Sequence, residues 1–457
     1  MLSALQIFKQ SMGGGQNIRE LIFICFLPLL VFTQNQDPVV RTLSGSVSGV
    51  TDETPAGTRF YRFLGIPYAE TPIGKLRFRD PVAKQPWQGV LNATEFPQEC
   101  LQKVFNPDPD SSAALVGSED CLYLNIATPS LPKPGYTVPK SLKPVMFWIH
   151  GGGFTIGEGK MDPSFLLDED VLVVSVNYRL GPFGFLAIEG NSDVAGNIGL
   201  KDQQEALQWV NRNIIFFGGD PARVTLFGES AGAISVHAHV LSPRIKNIFQ
   251  GAILQSGTAL MKYVPIFIEK EVHKSSQKLL EKVNCSVPDV IKCLREKDIE
   301  TLMEVPQESD ESSTFFTEES TYWIVQDNLS PSPVLPYDPL QQLTVGNVKK
   351  VPMIAGITKD DGGLILIIDP TIKTAFEENN TTELMRSMGL FLESVDEKDV
   401  DIVDVMKRFY LSEGSYEDNE KNLMEMQTDT WFGSPAAEVT KLHSKVAPVF
   451  PYVLKKP

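Results

Sequence analysis

The pentapeptide Gly228-Glu229-Ser230-Ala231-Gly232 constrains this chain more than any other feature. It stands directly after the apolar run Arg223–Gly228 (RVTLFG) and opens the stretch AGAISVHAHVL. The first run reads as a buried strand and the second as a helix. A G-x-S-x-G in that context makes a turn so sharp that side chains at its glycine positions would clash. The turn lifts the Ser230 hydroxyl above the strand ends, where the helix N-terminus supplies positive potential. Such an elbow needs a parallel sheet around it, and the chain has the parts. Lys143–His150, Asp170–Asn177, Phe249–Gln255 and Val351–Gly356 are short apolar runs without alternation, as expected of parallel strands buried on both faces. Between them Gly199–Asn213 has apolar Leu200, Ala206, Leu207 and Val210 at helical spacing. Strand–helix alternation of this kind predicts an α/β fold, a central, mostly parallel sheet with crossover helices on both faces. Shorter strands are expected in TLSGSVSGV and RFYRFLGIPYAE. Two helical insertions are expected over the sheet, at Lys262–Tyr337 and Thr371–Phe432; the first includes a helix at Glu269–Val283 and a loop at Pro306–Ser320 rich in acids and Ser.

A second glycine-rich string, His150-Gly151-Gly152-Gly153-Phe154, ends the strand Lys143–His150 about eighty residues before the elbow. Glycines there let the backbone N–H groups of Gly152 and Gly153 approach a substrate oxygen. With the N–H of Ala231 they form an oxyanion hole.

The 457 residues would allow about three domains by length alone, although a large α/β fold can run as one. Lys and Arg number 41 against 57 Asp and Glu, a formal charge of −16. That balance argues against nucleic acid or an anionic membrane as the main partner. The apolar run Leu21–Phe32 is shorter than the roughly 20 residues that span a bilayer. It reads as the core of a signal peptide covering residues 1–33, with Val31 and Thr33 before a cut near Gln34. No membrane span is expected once it is removed, and the product is expected to be secreted. Of five cysteines, Cys25 lies inside that segment, which leaves Cys100, Cys121, Cys285 and Cys293. An even set suits paired disulfides in three possible connectivities. Nearest neighbours would close two short loops. No C-x-x-C or Cys/His cluster has zinc spacing, so no metal is expected. Sequons stand at Asn92, Asn284, Asn328, Asn379 and Asn380.

From about Val39 onward the chain resembles the type-B carboxylesterases, the cholinesterase-like branch of the α/β-hydrolases. The resemblance is carried by FLGIPYAETPIGKLRF, SEDCLYLNIATP, WIHGGGF, VSVNYRLGPFGFL, GNIGLKDQQEALQWVNRNIIFFGGDPARVTLFGESAGA and AILQSGTAL, in the family's order. It implies one catalytic α/β-hydrolase domain over residues 34–457, no cofactor, and the disulfides Cys100–Cys121 and Cys285–Cys293. It also implies hydrolysis of small-molecule carboxylic esters through an acyl-enzyme on Ser230. The family's triad acid falls on Asp361 in Lys359-Asp360-Asp361-Gly362, where Asp replaces the usual Glu. Asp can orient a histidine, but it is one methylene shorter. Ser256 and Glu229 match supporting positions. The tryptophan that grips a quaternary ammonium in cholinesterases has no counterpart between Cys100 and Cys121, which argues against a choline ester.

Without a general base Ser230 is an ordinary alcohol, and the five histidines offer none. His150 belongs to the oxyanion string, His237 and His239 run down the elbow helix, and His273 precedes the acid. Only His443 follows Asp361, on an expected helix before a strand, whereas a triad base belongs on a loop after one. The family's histidine loop normally comes after the strand matching PVFPYVL, and this chain stops at Pro457. The reading is therefore a serine carboxylesterase domain lacking its C-terminal part, with apolar sheet surface left uncovered. The alternative is a catalytically inactive, secreted, esterase-like binding protein. Oligomeric state is not legible.

Overall fold

A computed structural model describes residues 37–104, 114–132, 141–245, 247–261, 267–286, 289–303, 322–369, 371–380, 384 and 397–455. The run Leu21–Phe32 and the loop Pro306–Ser320 lie outside the described residues. Fourteen strands follow in chain order: β1 (Val39–Arg41), β2 (Ser46–Ser48), β3 (Val50–Glu53), β4 (Arg59–Pro67), β5 (Val90–Asn92), β6 (Gln102–Val104), β7 (Ala114–Val116), β8 (Tyr123–Thr128), β9 (Lys143–Ile149), β10 (Leu172–Val176), β11 (Gly219–Glu229), β12 (Gly251–Gln255), β13 (Met353–Thr358) and β14 (Val449–Leu454). Nine of them form one sheet in the order β14-β13-β12-β11-β9-β10-β8-β4-β3. From β14 to β10 every neighbour is parallel, while β8, β4 and β3 continue antiparallel. The strands β1, β2 and β5 form a small second sheet, and β6 pairs with β7. This is a mixed α/β fold around a large, mostly parallel sheet, as the strand–helix alternation implies.

Helices cover one face of that sheet. Helix Ile198–Asn213 buries Leu200, Ala206, Leu207 and Val210. It is tied to helix Ala231–Leu241 by polar contacts, Gln203 Oε1 to His239 Nε2 at 2.8 Å and Gln203 Nε2 to Ser235 Oγ at 3.1 Å. Helix Ser434–His443 backs β13 and β14 with buried Val439 and Leu442. The first insertion is helical at Phe267–Lys282, Val290–Glu296 and Ile299–Met303 but not over its described residues 322–337, and helix Pro339–Val345 follows it. The second holds Thr371–Glu377, Glu397–Tyr410 and Tyr416–Gln427, and then a π-helical segment, Thr428–Gly433.

The opposite face corrects the expectation that the central strands are buried on both sides. Only β10 is buried along its whole length. Strands β9 and β12 alternate buried with half-buried residues, and β14 is open along its length. Near β10 a small cluster of Phe60, Ala127, Leu167 and Val173 covers this face. Farther along, Trp148 and Phe227 meet at a tilt of 54° with ring centroids 4.8 Å apart but belong to neither buried cluster. At the β14 edge Phe450 is 60% exposed and Ile354, its partner in register, 40%. An apolar run without alternation thus marks a parallel strand here without marking two covered faces.

The disulfides join Cys100 to Cys121 and Cys285 to Cys293. A buried ion pair anchors the turn after β10. Arg179 donates through Nε and Nη2 to Asp202 at 2.7 and 2.6 Å, and its backbone N–H adds a third bond at 3.1 Å. Both side chains are buried. Removing one charge of such a pair strands the other. Asp202→Asn is therefore expected to cost about 3–5 kcal/mol, read as a lower urea midpoint. A loss below about 1 kcal/mol would show that the pair is dispensable.

Candidate active site

Three adjacent strands end together at one edge of the sheet. Glu229 closes β11 in register with Gln255 of β12, which is in register with Gly356 of β13. The first residues beyond these ends include Ser230, Ser256 and Asp361, so the tertiary structure brings these sequence candidates to one side.

Ser230 has φ 54° and ψ −122°, strained for a residue with a side chain. Its N–H donates to the Gln255 carbonyl at 2.8 Å, and its carbonyl accepts from Ile234 N–H at 2.9 Å, starting helix Ala231–Leu241. The glycines around it are required by contact. A Cβ on Gly232 would lie 2.0 Å from the Ile149 carbonyl oxygen, and one on Gly228 would lie 2.5 Å from the Gly232 carbonyl carbon. The elbow therefore presses directly against the end of β9. Gly232→Ala is expected to force the two apart and cost at least about 3 kcal/mol. Gly363→Ala is the control, because the nearest atom there is the flexible Met424 sulfur at 3.2 Å. Equal urea midpoints for the two variants would contradict this reading.

The string after β9 sits against the elbow. A Cβ on Gly151 would lie 2.7 Å from Glu229 Oε2 and 3.2 Å from Ser230 Cβ. Gly152 and Gly153 have φ +100° and +58°. A Cβ on Gly152 would fall 2.1 Å from the Ile156 carbonyl oxygen. Among the described residues nothing accepts from the N–H of Gly152, Gly153 or Ala231. Three backbone donors near a strained serine can receive a developing oxyanion.

Next to the elbow, Ser256 is buried at φ 52°, and its N–H donates to the Gly356 carbonyl at 2.8 Å. A Cβ on Gly257 would lie 2.4 Å from the Ser230 carbonyl oxygen. Asp361 caps helix Gly362–Ile368. Its carboxylate accepts from Thr358 N–H at 2.9 Å and Thr358 Oγ1 at 2.5 Å. Glu229 lies within its field, and the Glu229 carboxyl is raised above the usual range by desolvation and then by Asp361. Tyr452 on β14 is raised likewise, first by burial and then by Asp361.

Two positioning residues are missing from the sequence reading. One is Thr358. The other is Thr428 in the π-helical segment, whose Oγ1 accepts from Gly362 N–H at 2.8 Å. A Cβ on Gly362 would lie 2.4 Å from Thr428 N, so segment and helix start are in close contact. The signal for Thr358 was its place three residues before the acid. Thr428 had none, because its neighbour is 66 residues away.

Among the described residues none of the five histidines hydrogen-bonds Ser230. His150 is buried, stacks on Tyr178 at 4.3 Å, and bonds through Nδ1 to the Gly151 carbonyl at 2.8 Å. Both ring nitrogens of His239 are taken, by Gln203 and Gln204. His237 accepts from Ala259 N–H at 2.9 Å, and His443 bonds the Val351 carbonyl at 2.9 Å. His273 lies on helix Phe267–Lys282, half-buried, its ring held lower by burial, with Glu189 opposing. Among the described residues no side chain hydrogen-bonds Ser230 Oγ. Among the described residues no group of three or more His, Cys, Asp or Glu could hold a metal ion, and no helix is long and apolar enough to cross a membrane.

Comparison with known proteins agrees with this geometry. The model of the carboxylesterase family matches residues 36–457. Acetylcholinesterase of Danio rerio is 38% identical over 388 residues, 82% of this chain and 58% of that protein. Cocaine esterase of Oryctolagus cuniculus is 36% identical over 438 residues, 91% of this chain and 76% of that protein. Juvenile hormone esterase of Tribolium castaneum is 37% identical over 390 residues, 82% and 64% respectively. Against both the acetylcholinesterase and the hormone esterase, the matched part is less than two thirds of the relative's length. With a family match over nearly its whole length, the chain belongs to the carboxylesterase family.

Proposed function

We propose that this chain is built as a carboxylic ester hydrolase in which Ser230 is the nucleophile and Gly152, Gly153 and Ala231 stabilise the oxyanion. The observation that supports this reading is Ser230 at φ 54° just beyond β11, beside a glycine string in which a Cβ on Gly151 would lie 3.2 Å from Ser230 Cβ and the N–H groups of Gly152 and Gly153 have no acceptor among the described residues. Ser230 Oγ attacks the ester carbonyl carbon as its proton passes to a base, and the carbonyl electrons move onto the oxygen held by the three N–H groups. The tetrahedral adduct collapses, the alcohol leaves with the proton returned to it, and an acyl-enzyme remains for water to cleave. Asp361 is placed to orient the base and Glu229 to set the field beside the serine. Ser256 supports the elbow from behind.

Four of the five histidines, His150, His237, His239 and His443, hold other partners, and none of the five hydrogen-bonds Ser230 among the described residues. This favours a second reading, a secreted esterase-like protein that binds esters without turning them over. Relatives named for choline and hormone esters leave substrate class open. The loop between Cys100 and Cys121 has no tryptophan, which favours uncharged esters over choline esters. Secretion is supported by the two disulfides and by exposed sequon asparagines Asn92, Asn284, Asn328, Asn379 and Asn380. Residues 1–33 serve as the signal and 34–457 as the esterase domain in this reading. The test is turnover of a chromogenic ester with and without added imidazole, measured against Ser230→Ala.

A further inference from the structure

One buried side chain grips the oxyanion string from outside it. Gln102 opens β6, two residues after Cys100, and is buried. Its Oε1 accepts from the Gly157 N–H at 2.8 Å, and its Nε2 donates to the Gly157 carbonyl at 2.9 Å. Nε2 also donates to the Cys100 carbonyl at 3.0 Å. The amide thus meets both backbone groups of one residue, as a neighbouring strand would. Its orientation follows from these partners, because the reverse would set an oxygen against two carbonyls.

Gly157 closes the loop that carries the oxyanion donors. The Gly152 carbonyl accepts from Thr155 N–H and Ile156 N–H, both at 3.0 Å, so residues 152–156 form one tight turn that ends at Gly157. Gly157 in turn lies against the root of the string. A Cβ there would fall 2.3 Å from His150 Nδ1 and 2.7 Å from the Gly151 carbonyl oxygen. Packing that close passes a displacement of Gly157 on to Gly151, and so to Gly152 and Gly153. On its other side Gln102 is fixed to the Cys100–Cys121 disulfide through the Cys100 carbonyl, and β6 pairs with β7. The loop has further anchors, Gly181 N–H on the Phe154 carbonyl at 2.8 Å and Gly159 N–H on Asn177 Oδ1 at 2.6 Å. Among the described residues, Gln102 is the one side chain that bonds both backbone groups of a residue in this loop.

We propose that Gln102 is a positioning residue for the oxyanion hole, its amide clamping Gly157 and thereby holding the Gly152 and Gly153 N–H groups in place beside Ser230. This rests on the reading of those N–H groups as oxyanion donors. Backbone donors stabilise a transition state to the extent that they are fixed before the reaction. A misplacement of about 1 Å can cost about a hundredfold in rate.

Gln102→Met keeps length and burial and removes all three hydrogen bonds. With imidazole supplied as base, Ser230-dependent hydrolysis of a chromogenic ester is expected to lose about tenfold in kcat, with KM within about twofold. The loss stays short of a hundredfold because the anchors at Phe154 and Gly159 remain. A residue that merely stabilises the fold would lower the urea midpoint and leave kcat of the folded chain unchanged. In a chain carrying isotope-labelled glycine, the N–H signals of Gly152 and Gly153 should move in the variant while that of Gly363 stays. A folded variant with unchanged kcat, a loss confined to KM, or unmoved Gly152 and Gly153 signals would overturn the clamp. If the unsubstituted chain shows no Ser230-dependent turnover, the esterase reading falls and the glycine signals alone decide on Gln102. Should the variant fail to fold, hydrogen exchange of the unsubstituted chain decides. Slow exchange at the Gly157 N–H and the Gln102 side-chain N–H supports the clamp, and fast exchange at either overturns it.

Discussion

Imidazole added to the purified 457-residue chain is expected to raise Ser230-dependent hydrolysis of a chromogenic ester at least about tenfold. Without imidazole, the chain and its Ser230→Ala variant should differ by less than about twofold. The argument is one of parts. Strain at Ser230, three backbone N–H groups without an acceptor among the described residues and a carboxylate at Asp361, three residues past β13, are present. Among the described residues no side chain hydrogen-bonds Ser230 Oγ. Loss of the triad histidine alone can cost a serine hydrolase about a million-fold in turnover, nearly as much as losing the whole triad. A diffusible base recovers part of that only if the remaining groups are already arranged. Subtracting the Ser230→Ala rate at the same imidazole concentration removes the solution reaction. Two results would contradict the proposal in different ways. Ser230-dependent turnover without imidazole would show that this chain has a base after all. No Ser230-dependent turnover at any imidazole concentration would leave the ester-binding protein as the better reading.

Acid should unfold this protein well before its carboxylates are neutralised. Burial pushes the rings of His237 and His239 down to about 3 and that of His150 down to about 4. His443 adds to the shift at His237 and Lys349 to that at His239, while the Gly151 carbonyl opposes it at His150. In the unfolded chain each ring takes up a proton near pH 6.5. Folded-state values below the unfolded one mean that the unfolded chain binds protons first as pH falls. The stability from these three rings is complete above about pH 6.5 and is lost progressively towards pH 4 and 3. Each contributes roughly 1.4 kcal/mol per pH unit inside that window, so together they contribute roughly 4 kcal/mol per unit. Since a domain's whole stability is about 5–15 kcal/mol, unfolding is expected by about pH 4.5. Urea midpoints from pH 7.5 to 4.5 measure it. A profile flat to within about 1 kcal/mol over that range would mean that the rings are charged or solvated in the folded state.

Much of the site was legible because its chemistry is local. The glycines of the elbow, the run before it and the helix after it lie within about twenty residues, and a steric demand between near neighbours leaves its mark on the residue types allowed. Gly228 and Gly232 show this, since their missing side chains make room for each other and for β9. The oxyanion string was legible for the same reason. Asp361 was not legible from the residues around it, since Asp-Asp-Gly is an ordinary polar turn; the family resemblance singled it out. Thr428 was missed altogether, because a hydroxyl holding a helix start 66 residues away has no local signature.

By itself the sequence determined the α/β class, the elbow, the oxyanion string and the set of cysteines available to pair. These follow from backbone sterics, hydrophobic runs and simple counts, all carried by adjacent residues. Only the tertiary structure decided which strands are neighbours, that one face of the sheet is covered far better than the other, and that His150, His237, His239 and His443 bond groups other than Ser230. It also chose one disulfide pairing out of three. Those outcomes depend on which distant groups share a face or a hydrogen bond, and the spacing of residues along a chain holds no record of that.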